Sequence, residues 1–195
     1  AGRYTEAKEQ ECSDCETGKF QELVAAVEYT CKNCAAGFAF ATKSMACTEC
    51  TNGRYQTLTS TAGVSCLDCA AGRYTEAKEQ ECSDCETGTY QDLAAAAAYT
   101  CKDNCNAGSY INADRSACLV CQKGQYQNQD GQSSCIACAK GKYNDLTTRT
   151  AESDCIACVK GKYNDMTGES LCKLCVEGRY NGLTARTAES DCTAC

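Results

Sequence analysis

The residues able to do chemistry in this chain are its cysteines. There are 22 among 195 residues, and every one falls in a pair. Ten pairs have the form C-x2-C: Cys12/Cys15, Cys31/Cys34, Cys47/Cys50, Cys66/Cys69, Cys82/Cys85, Cys118/Cys121, Cys135/Cys138, Cys155/Cys158, Cys172/Cys175 and Cys192/Cys195; the eleventh, Cys101/Cys105, carries an extra residue. Thiols spaced in this way support three chemistries. Oxidised, they form a framework of disulfides, which persists in an oxidising compartment. Reduced, two pairs about fifteen residues apart make a four-thiolate zinc site. A pair of lowered pKa makes a redox centre, but eleven copies without a thioredoxin-like scaffold argue against that. Against zinc stand the odd number of pairs, the absence of His, and a motif after each pair that does not distinguish knuckle from linker. In its favour, spacings of alternating length could mark quartets, so both bridges and zinc remain open from spacing alone.

The elements that must position these cysteines are small. After every pair but the last, a glycine stands at the third position: Gly18, Gly37, Gly53, Gly72, Gly88, Gly108, Gly124, Gly141, Gly161 and Gly178. Two residues further on comes an aromatic: Phe20, Tyr55, Tyr74, Tyr90, Tyr110, Tyr126, Tyr143, Tyr163 and Tyr180. In CAAGFAF, Phe38 and Phe40 flank the place instead. The glycine permits positive φ or a close approach, and the aromatic is expected to pack over its disulfide, the alternative being a stripe of tyrosines for binding. First cysteines of successive pairs lie 16–20 residues apart, too few for a helix and its turns. The reading is one continuous array over residues 1–195 of about ten closed units. Long and short units alternate as a 35-residue double unit over 12–117, slip near 101–135, and resume as a 37-residue double unit over 118–195. AGRYTEAKEQECSDCETG occurs verbatim at 1–18 and 71–88, two double units apart. The expected fold class is small and disulfide-rich, mostly irregular with short β-hairpins closed at the base, forming an elongated tandem-repeat rod. LVAAVEY and LAAAAAY keep a helical turn as their alternative.

Composition narrows the function. Net charge is −7 with a pI near 4.7, which disfavours nucleic acid. No apolar run approaches the ~20 residues of a membrane-spanning helix. With no His there is no base poised near neutral pH, and neither a nucleophile elbow nor a phosphate-binding loop is present. The expectation is no enzyme and no cofactor. The carboxylates before cysteines (Glu11, Glu81, Asp154, Asp191) read as a solvated face rather than calcium ligands. No Asn-x-Ser/Thr sequon occurs, and exposed Ser and Thr leave O-linked glycans open.

In tandem, C-x2-C-x2-G-x-[YF] resembles the cysteine-rich repeats of ephrin-receptor-like extracellular proteins. The segment CETGKFQELVAAVEYTC, residues 15–31, also resembles the first loop of tumour-necrosis-factor-receptor and growth-factor-receptor cysteine-rich modules. These families usually place Pro after the second cysteine; this chain has Glu16, Ala35, Thr51 and Ala70 there and no Pro at all. The resemblance implies that the second cysteine of each pair bonds the first of the next. The implied bridges are Cys15–Cys31, Cys34–Cys47, Cys50–Cys66, Cys69–Cys82, Cys85–Cys101, Cys105–Cys118, Cys121–Cys135, Cys138–Cys155, Cys158–Cys172 and Cys175–Cys192. Cys12 and Cys195 are left to partners outside the segment, as in an array cut mid-unit at both ends. The function expected is a structural repeat protein of an extracellular fibre, surface hair, stalk or matrix, whose partners are other copies or other fibre proteins. A receptor-like ectodomain is the alternative, with the slip region Cys101–Cys135 as its candidate ligand-binding unit, and a zinc-binding array is a second.

Overall fold

A computed structural model describes residues 1–4, 13–23, 30–97 and 100–195. It contains no α-helix among these residues, only strands of two or three residues and two 3-10 turns, Glu152–Asp154 and Glu189–Asp191. Ten two-stranded antiparallel sheets follow one another, each formed by consecutive strands. The first strand is the residue after the glycine plus the aromatic; the second is the pair of residues enclosed by the next C-x2-C. Thus Arg73–Tyr74 pairs Ser83–Asp84, and Lys142–Tyr143 pairs Ile156–Ala157. Phe20 reaches Lys32 through a single bridge of the same kind. Two residues suffice for a strand here because the flanking cysteines are pinned covalently; an isolated hairpin so short is unstable in water.

The base of each hairpin is closed by backbone rather than by sulfur. The second cysteine of a pair donates its N–H to the glycine carbonyl of its own hairpin, as from Cys50 to Gly37, Cys69 to Gly53 and Cys138 to Gly124, each at 2.8 Å. The sulfurs join successive hairpins. Cys15 ends the hairpin Arg3–Tyr4/Ser13–Asp14 and bonds Cys31, which precedes the second strand of the next. This revises the expectation of a hairpin closed at its base by its own bridge. The physical reason is register: pairing the aromatic with the first residue inside C-x2-C puts one cysteine on the loop side and the other at the base.

Contacts gather the described chain into two compact units, one of Ala1–Cys85 and Gln91–Cys101, the other of Glu86–Tyr90 and Lys102–Cys195. Their cores are made of sulfur and a few rings. In the first, Phe20, Cys34 and Val64 cluster with Phe38, Phe40 and Cys47 against them; in the second, Tyr126 packs with Cys138 and Cys155. The segment Leu93–Ala97 forms turns and bends rather than a helical turn, while residues 24–29 and 98–99, the rest of both alanine-rich stretches, lie outside the described residues.

Candidate functional site

The repeated feature that could carry function is the junction between hairpins, built from a bridge, a glycine, an aromatic and an amide. Ten disulfides occur among the described residues, joining Cys15–Cys31, Cys34–Cys47, Cys50–Cys66, Cys69–Cys82, Cys85–Cys101, Cys105–Cys118, Cys121–Cys135, Cys138–Cys155, Cys158–Cys172 and Cys175–Cys192. The second cysteine of a pair is the deeper partner: Cys15, Cys34, Cys50, Cys69, Cys85, Cys105, Cys121, Cys138 and Cys158 are all buried, whereas Cys31, Cys47, Cys66, Cys82, Cys101, Cys118, Cys135 and Cys172 are half-buried. Two bridges depart from this: Cys155 is buried like its partner Cys138, and Cys192 is buried while its partner Cys175 is half-buried. Cys195 is free and exposed, and Cys12 lies outside the described residues. A bridged sulfur is not a thiolate, so these twenty cysteines are not zinc ligands in this structure.

The glycine is the node of each junction. Gly18, Gly53, Gly72, Gly88, Gly108, Gly124, Gly141, Gly161 and Gly178 all have φ between 75° and 89°. Its N–H donates to the next unit, to the carbonyl of the residue after the aromatic: Gly37 to Gln56 at 2.8 Å, Gly72 to Gln91 at 2.7 Å, Gly124 to Asn144 at 2.7 Å, Gly141 to Asn164 at 2.9 Å. Its α-carbon faces the turn two units on. A Cβ at Gly37 would meet the backbone of Lys78, one at Gly124 that of Gly168, one at Gly141 that of Ala185. Those facing residues also have positive φ and donate to the intervening unit: Lys78 N–H to the Cys50 carbonyl at 3.0 Å, Gly168 to Cys138 at 2.9 Å, Ala185 to Cys158 at 2.8 Å. Each unit therefore touches its neighbour and its next neighbour, beyond the nearest-neighbour pattern of a simple solenoid.

The aromatics pack forward. Phe20 follows the bridge from Cys15 but packs on Cys34; Tyr126 follows Cys121 but packs on Cys138 and Cys155. At Phe20 and Tyr126 the ring thus lies against the cysteines of the next unit instead of its own disulfide, because strand pairing carries the ring toward the following C-x2-C. Tyr163 is buried, Tyr55, Tyr74, Tyr90, Tyr110 and Tyr143 are half-buried, and Tyr180, followed by the free Cys195, is 53% exposed.

The residue after the aromatic is a buried polar side chain. Gln21, Gln56, Thr75, Gln91, Gln127, Asn144, Asn164 and Asn181 are all at most 4% exposed. Gln and Asn find different partners here. Gln127 donates to the Ser134 carbonyl at 2.8 Å, just ahead of Cys135, and so ties down its own loop; Gln21 and Gln91 do the same with Thr30 and Thr100 at 3.3 Å. The shorter Asn reaches back across the junction: Asn144 to the Gln125 carbonyl at 3.1 Å, Asn164 to Lys142 and Asn181 to Lys162 at 2.9 Å. The recurrence of Gln, Thr and Asn at one offset is the signal that would have found them.

Carboxylates have local work. Asp154 Oδ2 accepts from the Thr150 and Ala151 N–H groups at 3.1 and 3.0 Å and organises the 3-10 turn before Cys155; Asp191 repeats this with Thr187 and Ala188. Glu81 is exposed, and Glu11 lies outside the described residues. The Ser116 hydroxyl at 2.7 Å and its N–H hold Asp114 below the usual carboxylate range. Lys173, 2.6 Å from Asp165, lowers that carboxyl and is itself raised. A shallow cavity of about 530 Å³ in the first unit is lined by Thr51, Asn52, Arg54, Ala77, Ala95 and Ala97, and its cation is already paired, Arg54 with Asp68 at 2.8 Å. Among the described residues no helix is long and apolar enough to cross a membrane.

The family model for tyrosine-protein kinase ephrin type A/B receptor-like repeats matches residues 108–155. No curated protein matches the chain. The matched segment begins within the loop Cys105–Cys118 and contains the loops Cys121–Cys135 and Cys138–Cys155. Residues 108–155 are thus similar to ephrin-receptor-like cysteine-rich repeats, the same disulfide connection runs in tandem on either side of them, and both fit an extracellular or secreted domain.

Proposed function

We propose that this chain is a structural repeat segment of an extracellular fibre, surface hair, stalk or matrix, whose partners are further copies or other fibre proteins. It carries out no catalysis and needs no resident cofactor. The observation behind this reading is the sameness of the junction. One hydrogen bond, from the glycine N–H to the residue after the next aromatic, recurs at Gly2, Gly37, Gly53, Gly72, Gly108, Gly124, Gly141 and Gly161 at 2.7–3.0 Å while the surface residues around it change. A binding protein concentrates difference at one place; a spacer repeats one solution.

The place that does differ supports recognition as the second reading. In the loop Cys105–Cys118 the strands lengthen to Ser109–Ile111 and Cys118–Val120, Ile111 takes the amide's place at 3% exposure, and Leu119 and Val120 stand exposed beside it. Negative-stain electron microscopy and sedimentation of the secreted, oxidised full chain separate the two. Filaments or laterally associated particles are the expected result. A dispersed monomer that stains receptor-bearing or matrix-bearing cells, and loses that staining in an Ile111→Gln/Val120→Thr variant with all bridges intact, would replace the fibre by the receptor.

A further inference from the structure

We propose that the cysteine ladder is a second, shorter backbone that bears tension, making the chain a tether of fixed covalent length that lengthens only by thiol exchange, in two sizes of step. This deepens the structural reading and rests on it for its purpose, though not for its mechanics.

The argument is one of covalent path. Between Cys15 and Cys192 the shortest route does not follow the peptide chain. It crosses Cys15–Cys31, runs along Lys32 and Asn33 to Cys34, crosses to Cys47, and continues so. The route is therefore a string of C-x2-C strands joined end to end by disulfides, and the loops bearing the aromatics hang beside it. Each crossing spans 5.6–5.8 Å between α-carbons. Each strand adds three residue steps, four at Cys101–Cys105, about 10 Å when extended. These strands are already β-paired, so little slack remains in them. The ceiling from Cys15 to Cys192 is about 150 Å with the bridges closed and about 600 Å with them open. Pulling can break every hairpin hydrogen bond and still extend no unit beyond about 16 Å.

Lengthening needs an external thiol. Its thiolate attacks one bridge sulfur and forms a new S–S bond to it, while the partner cysteine departs as a thiolate; one disulfide replaces another and no oxidant is required. Access sets which sulfur is attacked: in most bridges the half-buried cysteine ahead of the C-x2-C strand is reachable and its partner is not. Each opening releases one loop. Five loops span 13 or 14 residues and five span 16 or 17. The steps fall into two classes of equal number, about 40 Å and about 50 Å in contour.

The test is single-molecule pulling of the full chain, fused to a handle at each end and with free thiols alkylated. Without reductant, the expected trace shows no extension beyond about 16 Å per unit. With a small monothiol in solution and constant force, it shows steps near 40 Å and 50 Å in equal numbers. A Cys121→Ser/Cys135→Ser variant loses one short step and begins about 40 Å longer; the wild-type step sizes stand as the test if that variant does not fold. Gains of a whole loop without thiol, or a single step size, would overturn the proposal. Two step classes from a chain that forms no fibres would keep the tether and remove the fibre.

Discussion

Gly124 and Gly88 occupy the same place in their units, with φ of 81° and 89°, but their surroundings differ. A Cβ on Gly88 stays 3.7 Å from its nearest neighbour, the Gly131 carbonyl oxygen, whereas one on Gly124 runs into the Gly168 backbone. Gly88→Ala should therefore cost only the left-handed penalty, about 1–2 kcal/mol. Gly124→Ala should add the cost of pushing a packed turn away, another 1–3 kcal/mol or so. Thermal unfolding of the oxidised variants checks this, and equal losses would show that the close approach carries no energy. Acid and base have little leverage at this scale. Glu16, Asp114 and Asp165 are held below their ordinary values by Lys19, Ser116 and Lys173 respectively, so their contribution is present above the ordinary carboxylate range and is lost as pH falls through the lowered values. Lys173 is raised, so its share is present below the ordinary lysine value and is lost as pH climbs through the raised one. Glu16, Asp114 and Lys173 are exposed and Asp165 is half-buried. The melting temperature should stay flat from about pH 5 to about pH 9 and sag only outside that window; a transition near pH 6.5 would contradict it.

At the scale of the hairpin, the informative contrast is between Gln and Asn after the aromatic. Gln127→Ala should free the loop ahead of Cys135, leaving the Ser134 carbonyl without its donor. Asn144→Ala should instead weaken the junction with the hairpin of Gln125 and Tyr126. Each costs about 1–3 kcal/mol as a buried group loses its partner. Hydrogen exchange by peptide mass spectrometry distinguishes them: faster exchange within 128–134 for the first, at Gln125–Tyr126 and Gly124 for the second. The same change in both would reject the division of roles between Gln and Asn. This contrast also marks how far the sequence could be read. C-x2-C, glycine and aromatic recur at fixed offsets, and each is a residue type with a narrow conformational use, so hairpins and turns are legible in them. Gln, Thr and Asn share no such narrow use, and that they are buried follows only once the next unit covers them. Nor does spacing say that Tyr126 leans on Cys138, since strand register decides it. The 3-10 turns depend on Asp154 and Asp191 bending back to Ala151 and Ala188, which Glu-Ser-Asp does not announce.

Across the whole molecule, sulfur stands where other proteins put aliphatic cores: eleven of the 17 buried hydrophobic residues among those described are cysteines. Full reduction should accordingly abolish the β signal in circular dichroism and all slow amide exchange, since each bridge of this loop size contributes about 3 kcal/mol. Slow amides surviving in a reduced, alkylated chain would mean that a core has been overlooked. Partial reduction should not be uniform. Cys138 and Cys155 are both buried, with Tyr126 packed on them, so this bridge should be the last opened when a monothiol is titrated in and the products are mapped by mass spectrometry. Its early loss would mean that burial does not govern access. The glycine that seats beneath the turn two units on has a further consequence, one of inheritance. An array built this way can gain or lose length without a misfit only when the change leaves each glycine opposite a turn of its own length class, and whole double units do that. The verbatim copies at 1–18 and 71–88 are long enough to serve as a site of unequal recombination, and excision of residues 19–88 would leave a seamless reading frame. Gly18 would inherit the place of Gly88, and Cys15 would take over the bond that Cys85 makes to Cys101. Length is then the trait such a gene can vary most freely, while the junction it repeats is held constant.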